Sequence, residues 1–358
     1  MNSKKKILII ALSGIGDALL FTPAASLVRR KFPDAEMDAL VMFKSAAEIY
    51  ERTGLFDKIF LYDFLNSSIA KSLRFVLELR GNYDASLNVY PSNRKEYNII
   101  QFLTGAKRRA GVMYLRRDLQ QLGFLNNVRI EENDLLHNVE ENIRLSEKLL
   151  GFSAEDEPDL VLTLDENDRS SAKDYLEEAN IKEDDVVIGM HAGSATFKNQ
   201  IKRRWEPQKF AELARLIVEK RNSHILIFGG PEETDLKNEI ARASGSPRVL
   251  IPRSKGIIET AAIMSRCNAF VTNDSGMMHL AAALKIPTVA IIGPTNINYI
   301  SPWHTKYEIA SLFLDCSPCF IYSPRPLSCS RIDVKFKCIK ELEVEAVYEK
   351  VAHLLDHD

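Results

Sequence analysis

Thr272-Asn273-Asp274-Ser275-Gly276-Met277-Met278-His279-Leu280-Ala281-Ala282-Ala283 is the stretch whose reading decides the fold. It follows the apolar run Ala269-Phe270-Val271 and precedes another, Thr288-Val289-Ala290-Ile291-Ile292-Gly293. The pattern predicts strand, tight turn, helix and strand. Asp274 or Ser275 can cap the helix, and Gly276 lets a ligand approach the backbone. A helix start offers unpaired N–H groups and the positive end of a dipole, which suits a phosphate or pyrophosphate. His279 falls in the first turns of the same helix, either as a satisfied buried histidine or as a contact for a diphosphate.

Working outward, the same alternation runs through the chain. Residues 6–12 read as a strand, and the glycine turn Ser13-Gly14-Ile15-Gly16-Asp17 leads into a helix over 18–31. Strands at 35–41, 58–61, 85–89 and 107–112 alternate with helices at 46–53, 69–80, 98–103 and 138–150. An acidic, turn-rich stretch at 153–159 and a helix at 165–179 interrupt the pattern. A second series then follows, with strands at 186–190, 224–228, 249–251, 269–272 and 287–292 and helices at 207–220, 232–243, 257–266 and 276–284. Such alternation implies doubly wound parallel sheets. Two similar halves, over residues 1–165 and 180–340, imply two α/β domains facing across a cleft. Residues 341–358 read as an amphipathic helix that packs back on the first half. Ligands of such sheets bind beyond the carboxyl ends of the strands, and each glycine turn lies at such an end.

The 358 residues suit two domains, and an apolar fraction of 46% can fill two cores. A net charge of −2 gives no global pull toward nucleic acid or an anionic surface. The local basic clusters Arg29-Arg30-Lys31, Lys107-Arg108-Arg109, Arg116-Arg117 and Lys202-Arg203-Arg204 read as solvated helix ends and loops or as an anion-facing groove. Lys4-Lys5-Lys6 and the apolar run after it imitate a signal peptide. Gly14, Gly16 and Asp17 interrupt that run, and a buried parallel strand explains it better. No run of about 18 apolar residues occurs, so no membrane-spanning helix is expected; the expected location is the cytoplasm. Of five cysteines, Cys267 stands alone in an apolar helix. Cys316, Cys319, Cys329 and Cys338 have metal-site spacing, with a metal such as zinc as one reading, reduced structural thiols as another and disulfides, which a cytoplasmic location disfavours, as the third.

Gly14-x-Gly16 invites a dinucleotide reading, but Leu19 takes the third glycine position. The second strand also ends in Val41-Met42-Phe43 without an acid for a ribose. An NAD-dependent oxidoreductase is therefore disfavoured. What remains is Asp17 at a helix start, either as a cap or as a carboxylate base for a hydroxyl nucleophile. His191-Ala192-Gly193-Ser194-Ala195 supplies another small-residue turn for phosphate. Lys202 or Arg203 can neutralise charge on a departing diphosphate. Trp205 reads as a structural anchor. In Gly229-Gly230-Pro231-Glu232-Glu233, an acid can hold ribose hydroxyls or complement a helix dipole.

Taken in order, these residues resemble glycosyltransferase family 9, the ADP-heptose:lipopolysaccharide heptosyltransferases. The resemblance rests on Ile7-Leu8-Ile9-Ile10-x-x-Ser13-x-x-Gly16-Asp17-x-x-x-x-Thr22-Pro23-Ala24, Gly193…Arg203-Arg204-Trp205, Gly229-Gly230-Pro231-x-Glu233, Asp274-Ser275-Gly276-x-x-His279 and Gly293-Pro294-Thr295. It implies a GT-B fold of two Rossmann-like domains, with the acceptor on the first and the nucleotide sugar on the second. Asp17 would be the base. Gly193, Ser194, Glu232 or Glu233, Asp274, Ser275, Gly276 and His279 would bind the donor, with Lys202 or Arg203 as the cation. The family usually has Lys where Arg203 stands, and the swap is not neutral. Gly14, Gly16, Arg116 and Arg117 would face the acceptor. The implied reaction moves a heptose, with inversion, from ADP-heptose to an anionic inner-core glycolipid. No cofactor is required for that step, and contact with the cytoplasmic face of the inner membrane is expected. Relatives with a cysteine-bound iron extend the metal reading at Cys316, Cys319, Cys329 and Cys338 to iron. Another nucleotide sugar, a protein or other glycan acceptor, a sugar-nucleotide epimerase and a non-catalytic binding module are the alternatives.

Overall fold

A computed structural model describes residues 4–195, 197–322 and 325–356, with the backbone alone for Phe197 and Lys198. The chain forms two compact units, Met1–Thr163 with Tyr322–Pro324, and Leu164–Ile321 with Arg325–Asp358.

The first unit runs β1 (Lys6–Ala11), α1 (Ile15–Lys31), β2 (Glu36–Val41), α2 (Lys44–Thr53), β3 (Ile59–Leu61), α3 (Ile69–Glu78), β4 (Ala85–Asn88), α4 (Lys95–Leu103), β5 (Arg108–Met113), β6 (Val128–Glu131) and α5 (Asn138–Leu150). The second runs α6 (Glu166–Glu178), β7 (Val187–His191), α7 (Pro207–Arg221), β8 (His224–Ile227), α8 (Thr234–Ser244), β9 (Val249–Leu250), α9 (Ile257–Met264), β10 (Ala269–Asn273), α10 (Gly276–Ala283), β11 (Thr288–Ile291), α11 (Ile297–Ile300), β12 (Tyr307–Ala310), α12 (Lys337–Lys340) and α13 (Val344–Asp356).

Each unit is built on one six-stranded parallel sheet, with strand orders β3-β2-β1-β4-β5-β6 and β12-β11-β10-β7-β8-β9. The two orders are the same winding, and both are the Rossmann order. The central strands are apolar because helices cover both faces. Ile7–Ala11, for example, are all buried. The winding reverses between β1 and β4 in one sheet and between β7 and β10 in the other. The crevice at that reversal, beyond the strand ends, is where such sheets hold ligands. The chain is thus the α/β, doubly wound GT-B class expected.

Helix α1 carries Pro23 in its interior, where the missing N–H would leave the Leu19 carbonyl unpaired. The Thr22 hydroxyl donates to that carbonyl at 2.7 Å, and accepts the Val161 N–H at 2.8 Å. The Thr-Pro pair therefore keeps the helix intact and ties the end of the first unit to it. Helix α6 starts at Asp165, whose Oδ1 accepts the Asp168 N–H at 2.9 Å. It packs on α9 and so belongs to the second unit.

One expectation needs correction. The terminal helix α13 does not use its apolar stripe on the first half. Val344, Val347, Val351 and Leu354 are buried in the core of the second unit, against α7, β10, β11 and β12. That sheet needs a cover on its outer strands, and α13 is the amphipathic segment next in sequence.

Candidate active site

At the reversal of the second sheet, β10 ends at Asn273 and α10 begins at Gly276. Ser275 holds the N-cap position in an extended conformation, φ −158° and ψ 169°, yet its side chain makes no capping bond. Asp274 does not cap either. Its buried carboxylate accepts from Arg203 Nη1, and from the Thr295 hydroxyl at 2.6 Å. The capping expectation fails because a buried carboxylate gains more from a guanidinium than from a helix amide.

Arg203 is itself buried. Its Nη2 donates to Gln200 Oε1 at 2.9 Å, and its guanidinium lies 5.0 Å from the ring centre of Phe320. Lys202 is exposed. Between the two candidates, the fold brings Arg203 to Asp274 and leaves Lys202 in solvent.

Beside this pair stands a second cluster. Glu233 is buried, and Glu232 is exposed. The Glu233 carboxylate receives the Gly230 N–H at 3.2 Å, lies 3.3 Å from Arg204 Nη2 and 3.0 Å from His191 Nε2. Burial alone would push this carboxyl up. The histidine, Arg204 and the Gly230 amide outweigh it and hold Glu233 below the usual carboxylate range. A Cβ on Gly193 would overlap the Glu233 carboxylate. The glycine of the His191-Ala192-Gly193 turn is therefore spent on a close approach by this acid; the expected phosphate turn at Gly193 carries a carboxylate against it. Ser194, also buried, accepts Arg204 Nε at its hydroxyl at 3.2 Å and Nη2 at its carbonyl at 2.5 Å.

His191 completes the cluster. Its Nδ1 is 3.0 Å from Ser275 Oγ, so the imidazole spans from Glu233 to the start of α10. Asn273 fixes the same region: its amide donates to the Ala192 carbonyl at 2.7 Å, and its oxygen accepts the Trp205 N–H at 3.0 Å. Trp205 is fully buried, as a structural anchor should be, and its Nε1 donates to the Leu342 carbonyl at 2.9 Å. His279 is buried on α10, and its Nδ1 has no hydrogen-bond partner among the described residues. Burial pushes it down to about 4, so it is a neutral imidazole near pH 7.

His191, Arg204, Asn273 and Thr295 were not singled out as side chains from sequence. The usable signal was position: His191 and Asn273 are the last residues of β7 and β10, the two strands flanking the reversal.

In the first unit, α1 begins at Ile15, earlier than expected, with Gly14 at its N-cap. Asp17 is thus the third helical residue and is half-buried. Buried Tyr50, Tyr97 and Tyr114 surround it electrostatically; burial raises each phenol, and the Asp17 charge adds to the rise. Tyr97 donates to the Leu12 carbonyl at 3.0 Å, and Ser13 to the Pro91 carbonyl at 3.2 Å, which joins the ends of β1 and β4. Gly14 is exposed, with open space where a Cβ would be; Gly16 is buried in the first turn. Arg116 is exposed, and Arg117 adopts φ 67° in the turn after β5. The strand-end face of this unit therefore carries Asp17, several phenols and a basic loop.

The four clustered cysteines share one neighbourhood, each within electrostatic reach of Cys338. They are free thiols, and among the described residues no three His, Cys, Asp or Glu side chains are grouped to hold a metal ion. Cys338 is pushed up to about 11 by burial and then by the neighbouring sulfurs. Cys329 Sγ accepts the Phe336 N–H at 3.3 Å, and Cys316 Sγ accepts from Arg331 at 3.6 Å.

Comparison with known proteins gives the family of the chain. The sequence model described as glycosyltransferase family 9 (heptosyltransferase) matches residues 72–326. The lipooligosaccharide heptosyltransferase 2 of Campylobacter jejuni (strain NCTC 11168) is 35% identical over 174 residues, 47% of this chain and 51% of that one. The chain thus spans about half the length of such curated relatives. Among solved structures, the family 9 glycosyl transferase of Veillonella parvula has a TM-score of 0.76 at 20% identity, covering 100% of this chain and 99% of its own. The Escherichia coli ADP-heptose lps heptosyltransferase II gives 0.75 at 20% identity, with 98% of each chain covered. The chain belongs to glycosyltransferase family 9, the heptosyltransferase family.

Proposed function

We propose that the protein is an inverting glycosyltransferase that moves a heptose from an ADP-activated donor to a hydroxyl of a lipopolysaccharide inner-core acceptor. The observation that carries this reading is the start of α10. An uncapped helix N-terminus lies at the sheet reversal, with Arg203 held at Asp274 beside it. Backbone N–H groups, the helix dipole and a buried guanidinium suit a diphosphate that gains charge as it leaves. Glu233, ionised and acceptor-only, suits ribose hydroxyls better than phosphate. Relatives named for heptose transfer, one of them for ADP-heptose, support the choice of donor.

In the reaction, the acceptor hydroxyl gives its proton to the Asp17 carboxylate while its oxygen attacks the anomeric carbon. The bond from that carbon to the diphosphate oxygen breaks on the opposite side, so the configuration inverts. The electron pair leaves with the nucleoside diphosphate, whose charge α10 and Arg203 stabilise. The donor side is fully furnished with protein charge, so the reading requires no cofactor. Arg116 and Arg117 face an anionic acceptor with Gly14.

An acceptor with a lipid anchor brings the enzyme to an anionic membrane surface on its cytoplasmic side. Among the described residues no helix is long and apolar enough to cross a membrane. Helix α3 instead exposes Ile69, Leu73 and Leu77 beside Lys71 and Arg74, a pattern that suits peripheral contact. Sedimentation with anionic phospholipid vesicles, compared with Leu73→Ser/Leu77→Ser, checks it; equal sedimentation would remove α3 from that role.

The first test is thermal shift against ADP, UDP, GDP and NAD, repeated with Asp274→Asn. A ligand that binds only the folded state raises stability by mass action. Selective stabilisation by ADP, lost in the variant, is expected. Stabilisation by UDP or GDP alone would discard the ADP-heptose assignment, and stabilisation by NAD would revive the oxidoreductase.

A further inference from the structure

The chain of contacts from Glu233 through His191 to Ser275 has a proton to account for. Glu233 is buried, and Arg204 and the Gly230 amide share its carboxylate. An ionised carboxylate only accepts, so His191 Nε2 must carry a hydrogen directed at Glu233. The remaining question is Nδ1, 3.0 Å from Ser275 Oγ. In a neutral imidazole Nδ1 is bare and accepts the Ser275 hydroxyl hydrogen. In an imidazolium Nδ1–H donates to Ser275 Oγ, and the serine hydrogen must point elsewhere. One proton on His191 therefore decides whether Ser275 offers an acceptor or a donor at the start of α10. Thr272 Oγ1, 3.2 Å from the same oxygen, can serve as the other partner in either state. Ser275 is the N-cap residue and its side chain is not used on the helix amides, so its hydroxyl is available for a ligand at that end.

We infer that His191 is a positioning residue that takes up a proton when a nucleoside diphosphate occupies the start of α10, turning Ser275 from acceptor to donor toward the phosphate. This rests on the reading of α10 as the diphosphate end of the donor site. His191 does not touch the reacting atoms in this inference; it acts through Ser275. The balance is simple: one proton comes from solvent to Nδ1, the Ser275 hydrogen rotates from Nδ1 to a phosphate oxygen, and no covalent bond to carbon or phosphorus changes. The ionisable groups on the elements around it are Glu233, with Arg204 and Lys237 in its field, and on the α10 side Asp274, paired with Arg203, and His279. A diphosphate at the start of α10 adds negative charge on the Nδ1 side of the ring, which favours the protonated form.

The test is calorimetric titration with ADP at pH 7.5 in buffers of different ionisation enthalpy, which counts protons taken up on binding. ADP brings its own titrating phosphate, so the readout is the difference between the wild type and His191→Gln. Glutamine can still donate toward Glu233 but cannot be protonated. The wild type is expected to take up a further fraction of a proton, approaching one, that H191Q does not. Its ADP affinity should weaken by up to about tenfold per pH unit more steeply than that of H191Q as pH rises above neutrality, as linkage requires. Ser275→Ala removes the hydroxyl that must turn, keeps the Glu233–His191 contact, and should lose the same increment; it also covers the case in which H191Q fails to fold. Equal proton counts in the wild type and the variant that folds, with ADP still bound, overturn the inference alone. No ADP binding by the wild type overturns the diphosphate reading, and the inference with it.

Discussion

The two sheets have the same winding, yet the crevices at their reversals are furnished in opposite ways. Beyond β1 and β4 stands the half-buried Asp17 carboxylate, within the field of three buried phenols. Beyond β7 and β10 stands a lattice of opposite charges, Arg203 with Asp274 and Arg204 with Glu233, joined to Ser275 by His191. Topology sets where a ligand can sit, and the side chains at the strand ends set what it can be. Phenols and the Asp17 carboxylate in the first unit suit proton transfer from a hydroxyl. Paired charges around a helix start in the second suit the holding of a charged leaving group.

The sharpest way to break that contrast is Asp17→Asn. If the first crevice does the proton chemistry, kcat should fall by about 10³-fold, within the range for a general base. ADP affinity and the melting temperature should stay near wild type, because Asp17 belongs to the other sheet from α10. A variant that retained turnover would remove Asp17 from the role of base.

The converse change is Arg203→Ala, which should act on stability and donor binding together. It leaves the Asp274 carboxylate buried without its guanidinium, and loss of one partner from such a pair costs about 3 kcal/mol or more. Urea melts would read the loss, and ADP titration the weakened site. Arg203→Lys keeps the charge but not the fork that reaches Asp274, Thr295 and Gln200 together, so it should fall between. Unchanged stability in Arg203→Ala would mean that Asp274 has found another partner.

These two regions were unequally legible in the sequence. The β10–α10 stretch announced itself because strand, turn and helix follow one another with a glycine at the join. The strands flanking the reversals are almost wholly buried and were placed to within a residue or so. Edge strands β6 and β12 were not foreseen. Val128–Glu131 and Tyr307–Ala310 are short, mixed in polarity and only partly buried, so neither period nor composition marks them. The choice between Lys202 and Arg203, or Glu232 and Glu233, depends on which neighbour the backbone turns inward, and adjacent like charges give no sequence signal for that. His191 was read only as part of a turn, since a single histidine at a strand end has no periodicity; its role depends on Glu233 and Ser275, brought together by pairing of β7 with β8 and β10.

Acid should separate the units. His279 in the second unit is held down to about 4 by burial, against an ordinary value near 6.5. Between those values the unfolded chain binds a proton that the folded unit refuses, so stability present above pH 6.5 is lost as pH falls. From pH 7 to pH 5 this amounts to about 2 kcal/mol. Buried Asp38, Glu132 and Glu141 of the first unit shift the other way, raised first by desolvation. Their contribution is fully present below the unfolded carboxylate value and is lost as pH rises through the folded one, so mild acid does not weaken them. Trp205 and Trp303 are the only two tryptophans of the chain, and both lie in the second unit. Tryptophan fluorescence should therefore show a lower urea midpoint at pH 5 than at pH 7, and His279→Gln should remove most of the difference. An equal midpoint at both pH values would place water or another partner at the His279 ring.

The smallest effect is expected where charge is plentiful but wet. Arg29-Arg30-Lys31 could have been read as part of an anion-facing groove, yet each has a local partner at the end of α1. Arg29 donates to the Leu55 and Ala35 carbonyls and to Asp57, Arg30 pairs with Asp156 at 2.6 Å, and Lys31 with Glu155 at 2.6 Å. The Arg30 and Asp156 side chains are each about half exposed, at 52% and 53%, so water already screens them. Exposed pairs of this kind contribute little to stability. Arg30→Ala/Lys31→Ala should therefore leave the urea midpoint close to wild type, and leave acceptor KM unchanged. The contrast with Arg203→Ala would then rest on burial alone, since both changes remove a guanidinium from a carboxylate. A rise in acceptor KM would instead move part of the anion-binding surface from the Arg116-Arg117 loop to the end of α1, and the first crevice would have to be redrawn as a charged one.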